Sequence, residues 1–127
     1  MSNSRYDEPD DRPDAVRQAD AGAQAWRAAA RHQLAAVPDH ADFYALGGDL
    51  VATLHALQDL ARVLDGQVQQ YGQGRPVYDD TGTVDPQERL TAAAVELEAL
   101  AAALGAAMWS ADRFWSAIGH VGVEVTS

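Results

Sequence analysis

Apolar residues recur through the second half of the chain at alternating spacings of three and four: Leu90, Ala93, Leu97, Leu100, Leu104, Ala107, Ala111, Phe114, Ile118 and Val121. A heptad pattern held over that span predicts a long helix lying side by side with another helix. The partner seam lies just upstream, at Leu50, Leu54, Leu57, Ala61, Leu64, Val68 and Tyr71. Two such seams in one short chain predict a long antiparallel helical hairpin, residues 40–71 against 85–118.

The boundaries carry their own signals. Pro13, a favourable first helical residue, and Asp14 in the first turn predict an additional N-terminal helix over 13–36, which stops before Pro38. Its apolar stripe (Ala19, Ala23, Trp26, Ala30, Leu34, Val37) is narrow and rich in alanine. Asp39 with Asp42 three residues on forms a capping-box pattern for the second helix. Gly47-Gly48 costs that helix about 1 kcal/mol per glycine relative to alanine. Phe43, Gly47 and Leu50 stay in phase, so a single kinked helix is expected, with Gly72 as its terminator. Residues 72–84 read as a loop. Asp85-Pro86-Gln87-Glu88 places cap, first-turn proline and acidic residue in preferred positions for the third helix. The expected fold is all-α and three-helix bundle-like. Residues 1–12 read as a disordered acidic tail, 13–121 as a single helical domain and 122–127 as a flexible C-terminal tail.

The third helix carries a second stripe, Val95, Ala99, Ala102, Ala106 and Trp109, nearly opposite the first. A helix apolar on two sides is covered on two sides. Either the alanine face of the first helix, with Trp26, or a partner subunit supplies that cover. Trp26, Val95, Ala102, Trp109 and Trp115 are therefore the candidate interaction face. Leu50, Leu54, Leu57, Leu64, Val68, Leu90, Leu97, Leu100, Leu104, Phe114 and Ile118 are the hairpin seam.

Composition narrows the function classes. The formal net charge is −10, all nine basic residues are arginine, and they are scattered singly. Such a chain repels phosphate backbones, so no direct nucleic-acid partner is expected. The absence of cysteine removes disulfides, zinc–thiolate sites and thiol catalysis. No apolar run approaches the roughly 20 residues of a membrane span, and Met1–Asp14 does not read as a signal peptide. No membrane association and a cytoplasmic location are the expectations.

Four groups of residues are candidates for chemistry. Asp42-Phe43-Tyr44-Ala45-Leu46-Gly47-Gly48-Asp49-Leu50 resembles the phosphopantetheine attachment site of peptidyl carrier proteins, but Asp49 is followed directly by Leu50, with no serine to modify. Asp79-Asp80-Thr81-Gly82-Thr83 resembles the phosphorylation motif of P-type ATPases. Arg75–Tyr78 is too short and polar for the buried strand that motif requires, so an exposed Asp/Thr/Gly turn is expected. His32, His40, His55 and His120 fall at no metal-ligand spacing. Ser110 and Ser116 lie inside a helical stretch without a nucleophile elbow. No catalytic residue, metal ligand or cofactor is expected.

Size, acidity and the two-helix plan are similar to the Trp-x-Gly family of secreted effectors and chaperone-like dimers (WXG100). The resemblance implies an exported helical hairpin. Where that family has Trp-x-Gly between its helices, this chain reads Tyr71-Gly72-Gln73-Gly74. The residues themselves point to a non-enzymatic protein–protein interaction or oligomerisation module, with a protein partner or a second copy in a homodimer. An acidic regulatory protein of the antitoxin or immunity type is the alternative.

Overall fold

The computed structural model describes residues 9–125, which form three helices: α1 (Asp14–Ala35), α2 (His40–Gln70) and α3 (Pro86–Gly119). The fold is all-α, and the described residues include no strand. The described residues fall into two compact units, 9–38 and 39–125. Residues 1–8 of the expected acidic tail, and 126–127 of the C-terminal tail, lie outside the described residues.

In the first unit, Pro13 takes the N-cap position with ψ 150° rather than the first helical position, which passes to Asp14. Arg12 joins Asp10 at 2.8 Å and Asp20 at 3.3 Å, so residues 9–12 are tied to the first turns of α1 by exposed ion pairs. The helix ends at Ala35, where Ala36 turns extended two residues ahead of Pro38. None of the residues of α1 is buried.

The second unit is the hairpin. Asp39 caps α2: its carboxylate accepts from Ala41 N, and its own N–H donates to Asp42 Oδ2 at 3.1 Å. The helix then runs through Gly47-Gly48 without interruption. A Cβ on Gly47 would stand 3.1 Å from Trp115 Cδ1, and one on Gly48 3.2 Å from Trp115 Cζ2. The two glycines thus make room for the Trp115 indole, which also meets the Tyr44 ring at 5.5 Å between centroids. A local propensity cost is accepted for an interhelical contact.

Midway along the hairpin, Gln58 Nε2 donates to Ala101 O at 2.9 Å. Gly105 leaves space for that side chain, since a Cβ there would come within 3.1 Å of Gln58 Nε2. At the loop end, Gly72 lies against Gln87 and Leu90. These contacts pair 47 with 115, 58 with 101 and 72 with 90, which makes the helices antiparallel. Gly72 is not the left-handed terminator expected of it. That conformation belongs to Gly74 (φ 73°), and Gly72 is small because α3 begins beside it.

Asp85 Oδ1 accepts from Gln87 N at 3.0 Å and Pro86 opens α3, as the sequence pattern predicts. The preceding loop is organised around one side chain. Asp79 accepts from Thr81 Oγ1, from Thr83 N at 3.2 Å and Val84 N at 3.3 Å, and from Arg89 Nε at 2.7 Å. Its side chain is only 3% exposed. The Thr81 hydroxyl and the Arg89 guanidinium hold the carboxyl well below the usual carboxylate range. The Asp/Thr/Gly turn is therefore an anchor to α3, through an arginine ten residues away that sequence spacing did not single out.

Candidate interaction surface

The hairpin contact is thin. Among the described residues, the buried hydrophobic side chains are those of Ala61, Ala94 and Ala101, and no large side chain is fully buried. Alanine at these positions lets the two backbones approach closely, but each contributes little apolar area.

The residues that face the partner helix follow a seam rotated from the one the sequence suggests. On α3 the more protected positions are Leu90, Ala94, Leu97, Ala101, Leu104, Met108, Ala111, Trp115 and Ile118, together with Gly105 and Ala107. On α2 they are Gly47, Val51, Leu54, Gln58, Ala61, Asp65 and Val68, together with Phe43, Leu46, Gly48 and Thr53 in the N-terminal half. Leu54, Val68, Leu90, Leu97, Leu104 and Ile118 belong to both seams. On α3 every second predicted position gives way to its neighbour: Ala94, Ala101 and Trp115 are more protected than Ala93, Leu100 and Phe114, while Ala107 and Met108 are both partly covered. Trp115 packs between the helices against Gly47 and Gly48, while Phe114, 43% exposed, lays its ring edge on Gly47 from the side.

The displaced positions lie together. At 100° per residue, the centre of the predicted seam is rotated about 50° from the direction of the partner helix. Because the helices are antiparallel, the rotation carries Leu50, Leu57, Leu64 and Tyr71 of α2, with Ala93, Leu100, Ala107 and Phe114 of α3, to the same face of the hairpin. Val121, the last position of the predicted row, lies beyond the end of α3. The large members, Leu50, Leu57, Leu64, Tyr71, Leu100, Phe114 and Val121, are between 38% and 51% exposed. Leu46 and Leu60 extend the face along its α2 edge, where the neighbouring positions are Thr53 and Gln67. Its charged residues are Glu96 and Arg89 at the α3 edge, where Arg89 is already paired with Asp79, and Arg75 at the loop end, whose guanidinium lies 4.4 Å from the Tyr71 ring centroid.

The opposite face is polar. It carries His55, Asp59, Arg62 and Gln69 from α2, and Thr91, Glu98 and Asp112 from α3. Val95, Ala102 and Trp109 run along the outer edge of this polar side, and a shallow groove lined by Val51, His55, Met108, Trp109 and Asp112 crosses it. Trp109 is 70% exposed. Of the candidate interaction face, then, Val95, Ala102 and Trp109 form one exposed row. Trp115 is in the interhelical contact instead, and Trp26 belongs to the other unit.

No group of His, Asp and Glu that could hold a metal ion occurs among the described residues. α3 is long and apolar enough to cross a membrane by length and composition. This qualifies the expectation from apolar runs, because between Glu98 and Asp112 the chain carries no charged side chain. The comparisons with known protein families, curated proteins and solved structures found no match.

Proposed function

We propose that the protein is a non-enzymatic helical module for protein–protein interaction or oligomerisation, acting through the apolar face of the α2–α3 hairpin. The supporting observation is the contrast between its two sides. One gathers a row of half-exposed leucines and aromatics almost free of charge, and the other gathers the titratable residues. A long hairpin whose fully buried side chains are small leaves apolar area on its leucines still to be covered, and a groove between two helices is a recognised seat for further helices. We place this activity in the cytoplasm, with a protein partner or a second copy and no nucleic acid, membrane or cofactor.

The test compares the full chain with a Leu57→Asp/Leu100→Asp variant of equal helicity. The unmodified chain is expected either to self-associate at micromolar concentration or to retain a stoichiometric partner when isolated from its native cells. The variant is expected to do neither. A parent chain that remains alone in both assays removes the interaction reading.

A further inference from the structure

We infer that the occupant of the apolar face is a second copy of this chain, so that two α2–α3 hairpins form a four-helix bundle around Leu50, Leu57, Leu64, Leu100 and Phe114. The inference rests on the interaction reading above and names the partner and the geometry.

Three observations carry it. The first is direction. In a square bundle of four helices, the line from each helix to the bundle axis lies 45° from the line to its neighbour; in a bundle of three the angle is 30°. The sequence seams of α2 and α3 point about 50° away from one another's axes, to the same side. Two additional helices match that direction more closely than one. In this arrangement Leu54, Ala61, Leu97 and Leu104 point obliquely inward, Ala94, Ala101 and Met108 close the joint within each hairpin, and Leu46 and Leu60 close the joint between hairpins. That division of labour is the usual one for bundle cores.

The second is area. From Leu50 to Tyr71 the face is about 32 Å long at 1.5 Å per residue. Two helices packed 8–10 Å apart make it about 18 Å wide. The product is about 600 Å² per copy, or about 1,200 Å² for the pair, which reaches the range of specific dimers.

The third is charge. Two chains of net charge −10 repel unless the surfaces that meet are nearly uncharged. This face meets that condition, since its carboxylate, Glu96, sits at the rim, whereas the opposite face presents Asp59, Glu98 and Asp112. A two-fold interface is self-complementary, so a single patch with its few charges at the rim suffices for both sides.

Light scattering is expected to give twice the 13.6 kDa chain mass. The Tm is expected to rise with protein concentration, as it does when folding and association are linked. Leu57→Asp or Leu100→Asp is expected to weaken the dimer by about a hundredfold or more, because each appears twice in a symmetric interface and buries a carboxylate. Val95→Asp and Trp109→Ala are expected to leave it unchanged. The concentration dependence of Tm uses no variant and so stands even if a substitution unfolds the chain.

Several outcomes overturn the inference. A single-chain mass with a Tm independent of concentration does so, whether the chain then partitions onto phospholipid vesicles or stays in solution. A monomer that binds another protein through Leu57 and Leu100 overturns the second copy but preserves the interaction reading. A dimer indifferent to both aspartates but lost with Trp109→Ala moves the interface to the polar side. Since the chain has no native cysteine, Trp26→Cys and Leu57→Cys placed in one chain provide a further check. A disulfide forming between them within a monomer assigns the face to α1 instead.

Discussion

Trp109 and Trp115 share one helix and stand in opposite environments. Trp115 lies between the helices against Gly47, Gly48 and Tyr44, while Trp109 is 70% exposed. Removing an enclosed aromatic leaves a cavity, so Trp115→Ala is expected to lower stability by about 3 kcal/mol in urea titration. Trp109→Ala is expected to change it by no more than about 0.5 kcal/mol, as exposed substitutions do. A large loss on removing Trp109 would show that something covers it. Asp79 is a second residue whose environment decides its role. Its carboxyl is held below the usual range by Thr81 and Arg89, so its folded-state pKa is lower than its unfolded one. Such a group contributes stability at pH values above the unfolded carboxylate pKa of about 4, and that contribution is lost as pH falls toward the folded value. The Tm gap between the parent and Asp79→Asn is therefore expected to be widest near neutrality and to narrow below pH 4. A gap independent of pH would remove the anchor from the account.

At the scale of elements, the glycines sort by what faces them. Gly66 lies in the exposed part of α2, where a methyl group would meet nothing within 4 Å, whereas Gly105 in α3 faces Gln58 Nε2 at 3.1 Å. Gly66→Ala is expected to raise stability by about 1 kcal/mol through helix propensity alone. Gly105→Ala makes the same gain but displaces the Gln58 amide from Ala101 O, a part-buried hydrogen bond worth about 1 kcal/mol. Thermal melts are expected to show a higher Tm for the first and no gain for the second. The same reasoning explains why α2 continues through Gly47-Gly48: the indole of Trp115 occupies the space two methyl groups would fill. Helix boundaries were legible because caps are local. Asp39, Pro38, Asp85 and Pro86 act within a few residues of themselves, and the observed bounds of α1, α2 and α3 fall within one residue of the expected 13–36, 40–71 and 85–118. The Asp79–Arg89 anchor was not legible, since a loop aspartate and a helix arginine come together only when the loop closes.

For the whole molecule, the acidity of the chain and the neutrality of one face oppose each other. If two hairpins associate through that face, the flanking charges repel across a distance that salt screens. Self-association is accordingly expected to strengthen as ionic strength rises from about 20 mM to 500 mM, where the Debye length falls from about 20 Å to about 4 Å. Sedimentation at several salt concentrations measures it. Weakening with salt would mean that ion pairs, not the leucine face, hold the copies together.

The sequence by itself determined that the chain is helical, where each helix begins and ends, and that α2 and α3 carry seams spaced for lengthwise packing. These follow from caps, prolines and periodicity, which act along a single helix. Only the tertiary structure decided how far each helix turns about its own axis. Leu54, Leu97 and Leu104 sit in the seam under either choice. Whether Leu100 and Phe114 or Ala101 and Trp115 accompany them depends on a rotation of about 50°, and periodicity is the same for both. The rotation is settled by shape. Ala61, Ala94 and Ala101 allow close approach, Gly47 and Gly48 receive an indole, and Gln58 reaches a carbonyl past Gly105. The leucines that this rotation leaves half-exposed are the face on which the proposed function rests.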